Sequence, residues 1–598
     1  QRSLVALQPE AVSDPAAVAL GDLAPGAEQV VVLAWVTATD AAQEEETVTA
    51  LRGTTVDALL AATRDAWGTF LGRAARLESP DPRVDDLLEG MVVTVRTQQT
   101  WLGGVSPMSR YSLMWLRDTA GAVRFFLRMG LHEEARAMLD YLHLAAVMRG
   151  DIANALRLDY APDPPPAEPD WAALPPMEGR TSAEGPSHLP LMALWYHQAT
   201  GDASLVEAQY EFLKRAVLAQ NVDQDGLQGF SGDETYRAAL AASLGLDLEH
   251  DFVACCTSAN SSFLYVAAAN ALALLASVLS RPADEAALRE RADLVRAAAE
   301  AVYWSPGDSD GVSGGGSYAP FRDRAAPDPL PPPFEDVSLA PLWVGYSSPD
   351  DPRQQQNVAT VVGRLGRDDG SVQSALDPSY QKFLGLDVVE GVYTGMVPGF
   401  SLYSLALVDH PRAEAAFNLL GRAASPSGNY AEYQIHDDHS ALQVLYNPAG
   451  GIGDMTARYR PWEGGINLDA LVVYLAGFEP DMIAGHHRLA PRLPNGWPSM
   501  RWTGLRAGAD RLDLVVEQVK GVRRVTVTPT TGGTLTLYVE VPLPAATVRS
   551  VSVNGAPRPA DAWWVWAPFG ETRVQLGATT ATAAAPLVIE VEHEAATR

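Results

Sequence analysis

Between about residues 83 and 480, apolar positions return with helical spacing in segment after segment, broken by loops that contain Gly and Pro. The clear cases are 83–99, 112–129, 132–149, 186–200, 203–219, 258–279, 284–303, 355–364, 396–409, 411–423 and 466–477. Many come as close pairs. "RFFLRMGLHEEARAMLDYL" reads as helix, Gly turn, helix, and "LMALWYHQATGDASLVEAQYEFLKRAV" repeats the device at Gly201-Asp202. Helical hairpins in series build either an open solenoid or a closed toroid. No short sequence period repeats, which disfavours a regular solenoid. The long Pro-rich loops at 161–177 and 305–335 suit one rim of a toroid, where uncommonly long loops carry function.

The two ends of the chain follow another rule. Residues 1–52 read as strands, with "QVVVLAWVTATD" β-branched and preceded by the turn "APGAEQ". Two or three strands do not close a sheet alone, so 1–52 is expected to hold the last strands of an N-terminal β-sandwich. In 53–82, Val56, Leu59, Leu60, Trp67, Phe70 and Leu71 share one helical face, interrupted by Thr63, with Thr54 or Thr55 as N-cap. That segment is expected to be a linker helix ahead of a barrel over 83–484. After 485 the pattern becomes alternation, as in "RLDLVVEQVKGVRRVTVTPTTGGTLTLYVEVPL". Gly532-Gly533 and Asn554-Gly555 are hairpin signals, and 485–598 is expected to form an antiparallel C-terminal β-sandwich.

Composition narrows the field of functions. The 598 residues allow two or three domains, and 47% hydrophobic residues with 14 Trp and 19 Tyr indicate a globular chain throughout. A net charge of −29 argues against nucleic acid or an anionic membrane as partner, because both demand clustered Lys and Arg. The only cysteines, Cys255 and Cys256, are adjacent, which excludes a disulfide framework and Cys-based zinc. In their apolar surroundings they are expected to be small core residues. No apolar run of 18 or more residues is free of polar interruption, so no membrane span is expected. The first residue is Gln1 and no signal peptide precedes it, as in a processed chain or a piece of a longer one. The missing signal and the low cysteine count favour the cytoplasm.

Four polar clusters carry candidate chemistry. In Tyr111-Ser-Leu-Met-Trp115-Leu-Arg117-Asp118, an aromatic face suits the C–H face of a sugar ring and the charged ends suit its hydroxyls. The alternative is a packed Trp115 with Asp118 as N-cap. In Glu178-Gly-Arg180-Thr-Ser-Ala-Glu184-Gly-Pro-Ser187-His188, polar residues crowd a loop before an apolar helix, fitting ligand contact or a Ser187 cap with His188 packed beside it. The stretch "DQDGLQGFSGDETYRAAL" places Asp233, Glu234 and Tyr236 after a Gly-containing loop. Ser231 to Glu234 matches a capping box. Glu234 also suits a general acid if Phe230 and Tyr236 dry its surroundings and Asp233 raises its proton affinity. Asp223 and Asp225 lack the spacing of a calcium loop, and no metal is expected. In "SPSGNYAEYQIHDDHSALQ", Glu432 lies between Tyr430 and Tyr433, ahead of His439, placed to hold a water as general base or to sit in a solvated acidic loop. Downstream, Arg460, Trp462 and Glu463 precede another inner-type helix, with Glu463 a rival base.

This order of parts resembles the six-hairpin glycosidases, which include glucoamylase-like, trehalase-like, rhamnosidase-like and disaccharide-phosphorylase members. "MWLRDTAGAVRFF" is similar to their Trp-x-Arg-Asp motif lining the −1 sugar subsite, and "GNYAEYQ" to the loop that carries their general base. "DGLQGFSGDETY" takes the place of their acid loop, in the form "GDET" instead of a Trp-Glu-Glu or Trp-Asp form, and "LAPRLPNGWPSMRWTGLRAGADRLDLVVE" resembles the approach to their C-terminal sandwich. The resemblance implies a mainly α chain, an (α/α)6 toroid with a C-terminal antiparallel β-sandwich and a remnant of an N-terminal one. It implies an inverting glycoside hydrolase acting on a carbohydrate without cofactor, with Glu234 (Asp233 as second choice) as acid and Glu432 as base. Tyr111, Trp115, Arg117, Asp118, Glu184, His188, Tyr236, Tyr433, His439, Trp462 and Glu463 would line the sugar site. Inversion places the two carboxyls about 6.5–9.5 Å apart, leaving room for the attacking water. Three alternatives stand beside it: a phosphorylase with an anion pocket made by His436, His439 or Arg460, a toroid polysaccharide lyase or epimerase relying on His and Tyr, and a non-catalytic carbohydrate-binding protein.

Overall fold

In the computed structural model the chain divides into two compact units, Gln1–Arg73 and Ala74–Arg598. The structure describes residues 2–6, 12–14, 17–18, 33–37, 41–52, 54–107, 112–160, 164, 166–229, 256–307, 315–325, 335–372, 392–435, 438–440 and 458–595. In the first unit, strand Arg2–Ala6 pairs antiparallel with Leu33–Thr37, and Val12–Asp14 pairs with Ala17–Val18. Two helices follow, α1 (Ala41–Arg52) and α2 (Val56–Leu71). The expectation of strands through residue 52 therefore stops short. "AAQEEETVTALR" is rich in Ala, Glu and Gln, strong helix formers that outweigh its two β-branched threonines and one valine. Thr55 caps α2, its side chain accepting from the Ala58 amide at 3.2 Å.

The second unit is an (α/α)6 toroid joined to an antiparallel β-sandwich. Its outer helices are α3 (Pro82–Gln98), α5 (His132–Arg149), α7 (Ser204–Leu218), α9 (Pro282–Tyr303), α11 (Pro352–Leu365) and α13 (Ala413–Ala423). Its inner helices are α4 (Leu116–Arg128), α6 (His188–Thr200), α8 (Ala259–Val278), α10 (Glu335–Val344), α12 (Val397–Leu407) and α14 (Pro461–Leu475). Each inner helix packs on the next, and α14 returns to α4, so the ring closes. Burial follows from the sequence pattern. The inner helices are apolar on nearly every face, and all residues of α12 and α14 are buried. In outer α9 only the stripe Leu288, Ala292, Val295, Ala299 and Tyr303 is buried. Helix α8 is long and apolar enough to cross a membrane, and 78% of its apolar window is buried inside the molecule.

Two departures from the sequence reading matter for the site. Helix α10 was not anticipated, because it is only ten residues long and carries Pro341 in its interior. Helix α14 begins at Pro461, not 466, so Trp462 and Glu463 occupy its first turn. Pro at the first helical position favours that start. Gly464 and Gly465, which read as a loop, permit a close helix crossing. A Cβ on Gly465 would lie 2.3 Å from the carbonyl carbon of Gly121 on α4.

The sandwich has a seven-stranded and a five-stranded sheet. The segment read wholly as linker contributes strand Arg76–Glu78, which pairs with residues 501–503 at the edge of the larger sheet. Asn554 and Gly555 both have positive φ, 52° and 76°, and turn the hairpin between Ala546–Val553 and Ala556–Pro557. Gly532-Gly533 instead joins Val522–Pro529 and Thr534–Leu543, which lie in different sheets, so the signal marked a crossover and not a hairpin. The sandwich is fastened where inner helices end. Arg492 and Arg573 both pair with the fully buried Asp409 just after α12, and Arg573 also donates to the Ala406 and Leu407 carbonyls. Cys256 is buried and disulfide-bonded, which corrects the expectation of a simple core thiol.

Candidate active site

The N-terminal ends of α4, α6 and α14 carry the charged residues that the sequence singled out. Strand Met114–Trp115 pairs with Ala155–Leu156 and delivers the chain into α4 with the half-buried Trp115 at its N-cap. Arg117 and Asp118 then fall in the first turn of α4, and both are buried. Asp118 is not the cap that the simpler reading made of it. Arg117 donates from Nη1 to Glu184 Oε1 at 3.1 Å. Glu184 is 1% exposed and has φ of +60°, an uncommon conformation for a residue with a side chain. That kink leads through the short turn Gly185–Ser187 into α6, whose first residue is His188. Ser187 makes no capping bond and instead accepts from Gln220 Nε2 at 2.9 Å.

Glu432 reaches the same region from the other side. The strand that follows it, Tyr433–Ile435, pairs with Val392–Thr394, and the Glu432 carbonyl accepts from the Gly395 amide at 2.8 Å. Gly395 is obligatory here, since a Cβ would stand 1.8 Å from the Ala431 carbonyl oxygen. Asn467 on α14 donates to the Gly395 carbonyl at 2.8 Å and ties this corner to the inner ring. Tyr430 turns away from Glu432 and donates its hydroxyl to the Leu420 carbonyl, while Tyr433 is buried beside it in the chain.

Arg460, the N-cap of α14, joins these parts. Its Nε donates to Glu463 Oε2 at 2.8 Å, and its Nη2 lies 3.0 Å from Asp118 Oδ1 and 3.9 Å from Glu432 Oε1. Three carboxyl groups and one guanidinium are thus enclosed together, with side chains at most 10% exposed. Burial, assisted by the charges of Glu432 and Asp118, pushes Glu463 up to about 7 against the lowering by Arg460. Against its own burial, the three carboxylates hold Arg460 firmly protonated. His188 is pushed the other way, down to about 3, by burial and then by the Arg117 charge, so it is neutral. Its ring stands edge-on to Trp462 at 5.8 Å, and Trp462 in turn meets Trp343 and Phe400 edge-on.

The structure therefore gathers Asp118, Glu432, Glu463 and Arg460 into one cluster, with Arg117, Glu184, His188 and Trp462 adjoining. His439 belongs elsewhere. Its Nδ1 is 3.1 Å from the Tyr393 hydroxyl and its Nε2 is 3.6 Å from Asp369. Tyr111, Asp233, Glu234, Tyr236 and His436 lie outside the described residues. The approach to the acid stretch is described as far as Gly229. There Asp223 Oδ1 accepts the amides of Asp225 and Leu227, its Oδ2 pairs with Arg324 at 2.6 Å, and Gln228 donates to Gln220. Arg460 as the hub was missed. Its signal was the Arg-x-x-Glu spacing to Glu463, which only a helix starting at Pro461 makes meaningful.

No family model matches the sequence, and no curated protein matches it. Solved structures match the fold. An α-L-rhamnosidase from Dictyoglumus thermophilum is 12% identical, with 87% of this chain and 50% of that chain covered at a TM-score of 0.55. The Streptomyces avermitilis α-L-rhamnosidase complexed with L-rhamnose is 13% identical, with 87% and 42% covered at 0.53. A bacterial glucoamylase complexed with acarbose is 12% identical, with 74% and 62% covered at 0.50. The match spans half or less of the two rhamnosidases. The fold is that of the six-hairpin glycosidases.

Proposed function

We propose that this chain is a glycoside hydrolase that inverts the anomeric centre, with Glu432 as the general base and Glu234 as the general acid. The observation that supports it best is the convergence of Asp118, Glu432 and Glu463 on Arg460, at the N-terminal ends of inner helices of a six-hairpin fold. In this mechanism Glu432 takes a proton from a water as that water attacks the anomeric carbon, and the acid protonates the departing glycosidic oxygen from the opposite face. Trp115 stacks on the sugar ring, while Arg117, Asp118 and Glu184 take its hydroxyls.

Hydrolysis is favoured over phosphorolysis by the state of the two anion-pocket candidates among the described residues, His436 lying outside them. An anion pocket needs a guanidinium or imidazolium with capacity to spare. Arg460 faces three carboxylates, and His439 is engaged by Tyr393 and Asp369. NMR analysis of products from a panel of neutral glycosides tests the reading, with and without inorganic phosphate. Cleavage independent of phosphate, releasing the inverted anomer, is expected. A sugar phosphate as product, a retained anomer, or an unsaturated sugar would replace this mechanism with another.

A further inference from the structure

Glu463 does not fit the role of a simple sugar ligand. It is 2% exposed, it bonds to Arg460 from the same helical turn, and it packs against the backbone of Gly395. Its partner is a shared resource. One guanidinium serves Glu463 through Nε and both Asp118 and Glu432 through Nη2. Holding three ionised carboxyls close together in a buried setting is costly through their mutual repulsion. A proton on Glu463 relieves that repulsion.

Resting on the hydrolase reading of Glu432, we propose that Glu463 is a positioning residue that acts on Glu432 through Arg460. Protonated, Glu463 leaves the guanidinium shared between Asp118 and Glu432. Ionised, it draws the guanidinium onto itself, and the 3.9 Å contact to Glu432 lengthens. Among the described residues, the groups facing it are Arg460 from its own helix, Asp118 from α4 and Glu432 ahead of the strand Tyr433–Ile435. Helix α4 also brings Arg117, already paired with Glu184, and α6 brings the neutral His188. Gly395 and Met396 ahead of α12, and Met91 from α3, add no charge. Burial places the Glu463 transition at about 7, so the two states exchange near neutrality.

The test compares the pH dependence of kcat/KM for wild type, Glu463→Gln and Glu463→Asp on a 4-nitrophenyl glycoside that the wild type cleaves, each normalised to its own maximum. Wild type is expected to lose activity by about tenfold per pH unit above about 7. In Glu463→Gln that fall moves to higher pH, and Glu463→Asp restores it. Superimposable wild-type and Gln profiles would overturn the proposal. A difference infrared titration of the whole protein reads the same proton without turnover. A carboxylic acid band lost near neutrality in wild type and missing from Glu463→Gln is expected, and its absence from wild type also overturns the proposal. If the band is found and no glycoside is cleaved, the hydrolase reading fails and the protonation of Glu463 does not.

Discussion

Helices α4 and α14 enclose a buried charge cluster at each end, and the two clusters are built in opposite proportions. At the N-terminal ends, three carboxyls from Asp118, Glu432 and Glu463 surround Arg460. Further along, the fully buried Asp469 of α14 receives both Arg124 and Arg128 of α4, at 3.2 and 2.9 Å. The second cluster is densely bonded. Arg124 also donates to the Trp343 carbonyl and, at 2.7 Å, to the Tyr403 hydroxyl. Arg128 donates to the Phe478 carbonyl, and Trp343 Nε1 donates to Asp469 at 3.0 Å. Arg124 further lies over the Trp195 and Trp343 rings. This cluster holds α4, α10, α12 and α14 together. In the first cluster, by contrast, three carboxyls converge on one arginine. Asp118 and Glu463 in first turns and Arg128 in the last turn of α4 agree with the helix dipole, which Arg460 at the N-cap of α14 opposes.

The contrast can be broken from either end. Asp469→Ala strands two guanidiniums in the barrel, and a loss of about 3–5 kcal/mol is expected from the denaturant midpoint. Glu432→Gln should lower turnover by about 10²–10⁴-fold while thermal melting stays at the wild-type value. A large fall in melting temperature would instead move Glu432 into the structural class. Gly465→Ala pushes α14 off Gly121, between the two clusters, and should cost about 1–3 kcal/mol as well as activity. Mutant stability equal to wild type would show that the crossing is not tight.

The smallest expected effects come from pH. His132 and His188 are both held down to about 3 by burial, below the usual 6.5. Groups with depressed values stabilise the fold above the unfolded value and lose that contribution as pH falls toward the folded one. From about pH 7 to about 5.5 each histidine should cost on the order of 1 kcal/mol. Glu463 has the opposite sign. Its raised value adds stability at low pH that is lost as pH rises through about 7, so it offsets the histidines over this window. Glu463→Gln should therefore lose stability on acidification more steeply than wild type, measured by denaturant titration at each pH. Parallel curves would remove Glu463 as a titrating group.

Much of the toroid was readable from the chain. Helical period, close hairpin pairs and the switch to alternation after the barrel each report a local preference that packing reinforces. The reading failed where two local signals competed. "PWEGG" looks like a loop because glycine weakens helices, yet those glycines exist so that α4 can approach. Gly532-Gly533 marks a chain reversal, and nothing local tells which sheet receives the next strand. "AAQEEETVTALR" was overlooked beside a strongly β-branched neighbour.

The sequence by itself determined the residue types of the site and their order: an Arg-Asp pair opening one apolar helix, a Glu framed by tyrosines, and Arg460, Trp462 and Glu463 ahead of another inner-type helix. These types follow from what helix starts and short polar loops demand of a local segment. Only the tertiary structure decided that Arg460 is the common partner of Asp118, Glu432 and Glu463, that His439 serves Asp369 and Tyr393 instead, and that Asp469 ends up balancing two arginines. Closing the ring sets distances between residues hundreds of positions apart, and burial there changes the charge that a carboxyl prefers to carry.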